Sequence, residues 1–383
     1  MFSVLLAVIF AVATIASGQS AAWDQSLGDA TTFQDAPSER QGKFFPLFSV
    51  IRFANTQCTG SNNLNGTCFT RRECSNYGGT ASGTCANSLG VCCVFVRTCG
   101  STTNMNNTYF INPDYPTTYA GGDRCTIVVR PCNSHICQLR LDFLDFSLAQ
   151  PDGTGVCDLD FLTVTGGATL VPRLCGENTN QHVYVDFDGP APITISIDTD
   201  VNYVFDRRWN IRIQQIACES VWRAPSGCLQ YYTTTTGTVT SFNYGTVVNP
   251  RSPLVGTRQL VNLNYGVCVR MTVGYCAIQW SQDNTLSFTV SGDTDGLDTT
   301  VIGTDLAAVT GTDCTADFVI IPNPFDTTGT ALDVDRFCGN GFVTVISSSK
   351  PFVLYVITNG DETGDVLNRG FILDYQQIAC PIF

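Results

Sequence analysis

Nineteen cysteines, all at or beyond Cys58, constrain this 383-residue chain more than any other feature. So many thiols do not persist in a reducing compartment, so the chain reads as one cross-linked by disulfides made in a secretory pathway. The amino terminus agrees, because the apolar run at residues 4–16, followed by Ser17 and Gly18, has the make-up of a signal peptide, expected at residues 1–18. No later apolar stretch approaches the roughly 20 residues that span a bilayer. The terminal ACPIF lacks the spacer and hydrophobic tail of a lipid-anchor signal. The expectation is a secreted, extracellular protein without a membrane span.

Charge narrows the class further. Twenty basic side chains against 33 acidic ones give a net charge of −13. Charged residues make up 14% of the chain, against about 25% in an average globular protein. Lysine occurs only at Lys43 and Lys350, so the surface relies on Thr, Ser, Asn and Gln. Such a chain repels phosphate backbones. A nucleic-acid binder is excluded on that ground, and a cytosolic enzyme by the cysteines.

Organisation follows from texture. Residues 19–57 carry few periodic apolar positions and read as a linker. Residues 58–97 hold six cysteines, Cys58, Cys68, Cys74, Cys85, Cys92 and Cys93, among Gly, Asn, Thr and Ser. A segment so poor in core needs cross-links to fold, and the adjacent Cys92 and Cys93 should reach different partners. After Cys99 the chain breaks into short β-type runs such as TIVVR, FLTVTG, ITISID and WNIRIQQI, with no useful 3.6-residue period. The texture returns after Cys228 in CVRMTV, CAIQW and FVLYVIT. Both blocks end in QQIAC, at Cys218 and Cys380, and both contain C-x-x-D-F, at Cys157 and at Cys314, followed by Cys175 or Cys338. An internal repeat of this kind predicts an all-β protein of two tandem antiparallel β-sandwiches, 99–218 and 228–380, behind a small disulfide-rich knot.

The residues that carry the repeat resemble the CUB domain family of extracellular β-sandwiches. Cys99-Gly100, the INPDYPTTY turn at 111–119, Cys125, LDFLDF, CDLDF with Asp160 and the closing Cys175 are similar to that family's pattern. The second block resembles it more distantly, keeping FNYG at 242–245, Cys314 with Asp317, Cys338 and RGF at 369–371, but without the first disulfide at matching positions. The six-cysteine knot ending in a doublet is similar to arthropod clip domains, although the gap between Cys74 and Cys85 is short for them. The whole arrangement resembles a secreted arthropod CUB protein.

The clip resemblance implies bridges Cys58 to Cys92, Cys68 to Cys85 and Cys74 to Cys93. The CUB resemblance implies Cys99 to Cys125 and Cys157 to Cys175, with Cys314 to Cys338 by repetition. Short loops suggest Cys132 to Cys137, Cys268 to Cys276 and Cys218 to Cys228. Cys380 is then the odd thiol, free or joining two chains; the alternative is that Cys380 pairs internally and another cysteine is left over.

Chemistry is sparse. The only histidines are His135 and His182, too few and too poorly placed for a triad or a zinc site. No GDSGG-like segment, G-x-S-x-G elbow or H-E-x-x-H occurs, so the chain is expected not to be an enzyme. The acidic GDTDGLD at 292–298 reads as a turn before a metal loop. Sequons at Asn65 and Asn106 are expected to lie on exposed loops and carry glycans. Many CUB domains hold calcium through a glutamate, the aspartate of C-x-x-D and a later aspartate, and resemblance assigns Asp160 and Asp200 to the last two in the first block. Ala149 or Gln150 stands where the glutamate is expected. The expectation is weak calcium binding there, at or above roughly 10⁻³ M, with turn-capping by Asp160 and Asp200 as the alternative. None is expected in the second block, where Asp317 is followed by Asn359; no other cofactor is expected.

The function these features favour is non-catalytic extracellular recognition of a protein or glycan. The alternatives are an accessory factor of an extracellular protease cascade, docking through the knot, and a structural matrix or cuticle component.

Overall fold

The structure, a computed structural model, describes residues 52–381 except 248, 252–256, 295 and 363. The expected signal peptide and nearly all of the linker lie outside the described residues. Within them the chain is built from strands, with one short α-helix, Arg71–Asn76, and one 3-10 turn, Gly311–Asp313. That helix starts at a reciprocal cap: the Thr70 hydroxyl accepts the Glu73 N–H at 3.2 Å and the Glu73 carboxylate accepts the Thr70 N–H at 3.0 Å. Its one buried residue, Cys74, is bonded to Cys93.

The knot contains the bridges Cys58–Cys92, Cys68–Cys85 and Cys74–Cys93, the pairs that the clip resemblance implies. It is not separate from the first sandwich. Its last strand, Gly90–Arg97, runs parallel to Thr108–Ile111, so the knot's sheet continues into that sandwich as one eight-stranded sheet. The Tyr109 hydroxyl ties the seam, accepting from the Asn65 N–H at 2.8 Å and donating to the Asn65 carbonyl at 3.1 Å.

In the first sandwich the strands Thr108–Ile111, Arg208–Ala217, Ile136–Ser147 and His182–Asp186 share a core with a four-stranded sheet of Ser101–Thr103, Cys125–Val129, Ile193–Asp198 and Phe161–Thr165. Alternation sets which faces are buried: Ile193, Ile195 and Ile197 point inward from one sheet, and Trp209, Ile211 and Ile213 from the other. The second sandwich pairs two six-stranded sheets, with Gly370–Ala379 taking the place of Arg208–Ala217. In both sandwiches the opening strand is parallel to its neighbour, Ser101–Thr103 to Cys125–Val129 and Cys228–Tyr232 to Asn264–Val269.

Register corrects the short-loop pairings. Ile136 lies opposite Ala217, which sets Cys137 beside Cys218 and closes that bridge with Cα atoms 4.8 Å apart. Tyr275 lies opposite Ala379, and Cys276 bonds Cys380 at 4.9 Å in the same way. Cys228 bonds Cys268, tying the second opening strand as Cys99–Cys125 ties the first. The second block therefore does have its first disulfide. Cys157–Cys175 and Cys314–Cys338 complete three matching bridges per sandwich. Cys132, exposed in the turn before Ile136–Ser147, is the free thiol, so Cys380 is neither free nor a link between chains.

The two sandwiches meet through side chains. The Gln138 amide exchanges hydrogen bonds with the Ala224 backbone, Gln181 donates to the Ser241 carbonyl, and His182 Nε2 lies 3.1 Å from both the N and the O of Tyr231. Asn243 is buried and bonds Gln150, Asn178 and the Glu177 N–H. The loop at 151–157 of the first sandwich lies along 257–261 of the second, where Val261 N donates to the Gly155 carbonyl at 3.2 Å. Only glycine fits at 155: its φ is +81°, and a Cβ there would come within 2.6 Å of the Gln259 carbonyl and 3.0 Å of Glu362 Cγ.

Candidate functional site

The C-x-x-D-F repeat places an aspartate just before a strand in each sandwich, Asp160 before Phe161–Thr165 and Asp317 before Phe318–Ile320. The two are used alike on one side. Asp160 Oδ1 accepts the Asp200 N–H at 3.0 Å, and Asp317 Oδ1 accepts the Asn359 N–H at 2.7 Å. Asp200 and Asn359 each then cap their own turn, accepting from Asn202 N–H and Asp361 N–H.

On the other side they differ. Asp160 is buried against Arg207, whose Nε reaches Oδ2 at 2.7 Å and whose Nη2 reaches Oδ1 at 2.9 Å. With Ala149 N–H also on Oδ2 at 2.9 Å, neither oxygen faces an open position. Asp200 is half-buried and its Oδ1 is spent on Asn202 N–H and Tyr203 N–H. Of the pair named for calcium, Asp160 is thus engaged by Arg207 and backbone N–H groups, while Arg207 reaches only the backbone carbonyl of Asp200 and the Asp200 carboxylate caps its own turn.

Asp317 meets no guanidinium. Its Oδ2 accepts from Gln259 Nε2 at 3.0 Å, and it is joined by Glu362 and Asp365, all three buried, with one oxygen from each lying within 4.8 Å of the others. Glu362 and Asp365 come from the segment following strand Phe352–Ile357, whose turn Asn359 caps. Burial raises the Glu362 carboxyl to about 9, aided by the charges of Asp317 and Asp365, and burial likewise raises Asp317 to about 7, with Asp365 adding to it. Three carboxyls so close and so buried must carry protons or face a cation. The donor set is all oxygen and acidic, which fits a hard divalent ion such as calcium, taking about 6–8 oxygen ligands. Asp317, Glu362 and Asp365 are the residues that would hold it.

Elsewhere the described residues bring no catalytic set together. His135 is exposed, while His182 is buried at the sandwich interface. Asp293 and Asp298 of the acidic stretch accept N–H groups of their own turns, from Gly296 and Thr300. Asn65 and Asn106 are half-buried rather than exposed, and the Asn106 amide oxygen accepts the Gln215 N–H at 2.8 Å. Sequence reasoning missed Arg207, Gln259, Glu362 and Asp365. The acid-rich NGDETGD at 359–365 was the signal for two of them.

Profiles of known families match both sandwiches: the CUB domain at residues 99–202 and the animal CUB domain at residues 225–378. No curated protein matches the sequence. Among solved structures, the CUB1-EGF-CUB2 domains of rat MASP-1 align at 14% identity over 72% of this chain and 99% of that chain, with a TM-score of 0.26. The MASP-1 CUB2 domain bound to Ca2+ aligns at 19% identity over 30% and 98%, with a TM-score of 0.26. The full extracellular region of zebrafish Gpr126/Adgrg6 aligns at 13% over 75% and 37%, with a TM-score of 0.24. Among the described residues no helix is long and apolar enough to cross a membrane. With its bridges, its repeat and both profile matches in agreement, the chain is a protein of two tandem CUB domains behind a disulfide-rich amino-terminal region.

Proposed function

We propose that this chain is a secreted, non-catalytic recognition protein that binds another protein through the edge loops of its CUB domains. CUB domains commonly mediate protein binding in extracellular proteins, and the cysteine load suits that environment. The observation that carries the reading is the joint between the domains. Asn243 and the 151–157 loop fix the two sandwiches against each other, so their loops form one surface of set geometry. A preorganised surface loses less entropy on binding. In the second domain Asp317, Glu362 and Asp365 would hold a calcium ion, which would supply positive charge to three buried carboxyls close to Gly155 of the first domain.

Chemical cross-linking of the full secreted chain in extracellular fluid, with the linked residues mapped by mass spectrometry, tests the reading. Links from a protein partner to the loops of 99–202 or 225–378 support it. Links confined to 58–97 would instead favour docking through the knot, and hydrolysis of peptide or ester substrates lost in a point variant would contradict the non-catalytic reading.

A further inference from the structure

The guanidinium of Arg207 is fully buried, and it sits among six oxygens: both from the Asp160 carboxylate and the backbone carbonyls of Ala120, Asp200, Tyr203 and Phe205. That shell has the composition of a calcium site, an aspartate supplemented by carbonyls, in number and in chemistry. Three of the carbonyls belong to one loop, 199–206, folded around the charge. The backbone nearby is shaped to admit the side chain: Gly121 has φ +93°, and a Cβ on it would come within 2.5 Å of Arg207 Nη1.

The repeat supplies the comparison. Counting back from the shared QQIAC, Arg207 matches Arg369. There the guanidinium does not pair with Asp317; its Nε is buried without a hydrogen-bond partner among the described residues, and Asp317 faces Gln259, Glu362 and Asp365 instead. One position has been used in two ways.

We propose that Arg207 is the resident cation of the first CUB domain: its side chain does permanently what a bound divalent ion does in such a shell, and it fixes the loop 199–206 without metal. An arginine is suited to this, since it stays charged at any relevant pH and its planar fork matches a carboxylate while its remaining donors reach carbonyls. Arg207 is a positioning residue. On the loop it holds, Val201 and Val204 are 71% and 97% exposed, and the Tyr203 and Phe205 rings stack 6.3 Å apart. That apolar edge then keeps its shape whatever the free calcium concentration. This hold on the loop needs no partner and is independent of the proposed recognition role.

Hydrogen–deuterium exchange on the full chain, with calcium chloride and then with EDTA, tests it. Backbone amides of 199–206 in the wild type should exchange at the same rate in both, within about twofold. In Arg207→Met the same amides should exchange at least about tenfold faster, with Arg207→Lys recovering part of the protection because it keeps the charge but loses the fork. Loss of protection in the wild-type loop on chelation overturns the proposal, and so does unchanged exchange in Arg207→Met. Should Arg207→Met not be secreted, Gly121→Ala, which crowds the guanidinium without removing it, takes its place: faster exchange at 199–206 supports the proposal, and no change counts against it. A 359–365 segment that ignores chelation would count against calcium in the second domain and leave the assignment of Arg207 standing.

Discussion

Cys132 and His182 show how much one residue's surroundings decide. Cys132 is the exposed thiol left when register pairs its neighbour Cys137 with Cys218. Alkylation of the denatured, unreduced chain should therefore label Cys132 alone among residues 58–380, and label on Cys380 would contradict the pairing. His182 is buried beside the rings of Tyr184 and Tyr232, with Arg140 and Asp142 acting on it. Burial, reinforced by Arg140, lowers its pKa from 6.5 to about 4. The unfolded chain takes up the proton as pH falls through 6.5, while the folded one holds out to about 4. The stability contributed by the neutral ring, on the order of 3 kcal/mol, is thus present in full above pH 6.5 and lost between 6.5 and 4. His182→Gln should flatten the fall in thermal midpoint over that range; an unchanged slope would show that the ring does not carry it. Neither role could be read from the sequence, because each depends on what a distant strand brings alongside.

At the level of elements, the strands were legible because alternation is a local signal: ITISID buries every second residue, as its pattern says. Bridges were legible only where a family pattern supplied them. The short-loop rule failed at Cys132, Cys268 and Cys218 because strand register, which arises from partners far along the chain, brings Cys137 and Cys276 to the ends of the closing strands. Repetition also predicts tolerance. Trp209 and Phe371 hold equivalent inward positions on the closing strands, and the Trp209 indole N–H is buried without a partner among the described residues. Trp209→Phe should therefore cost under about 2 kcal/mol, since it deletes an unsatisfied donor with some volume. Trp209→Ala should cost about 3–5 kcal/mol through the cavity it leaves. Denaturant titration compares the two, and equal losses would mean that the packing at this position is not what the repeat suggests.

The whole molecule combines one sandwich that carries its own cation with another that collects carboxylates, joined at an interface where the first covers the acidic turn of the second. C-x-x-D-F marked both aspartates, yet the contrast was not legible. Arg207 lies 47 residues beyond Asp160, and Glu362 and Asp365 lie at the far end of the second domain, so only folding brings them together. That asymmetry is read by calorimetric titration of calcium into the full chain. It predicts one calcium per chain, lost in Glu362→Gln and unaffected in Asp200→Asn; no binding, two equivalent sites, or a site that disappears with Asp200→Asn would contradict it.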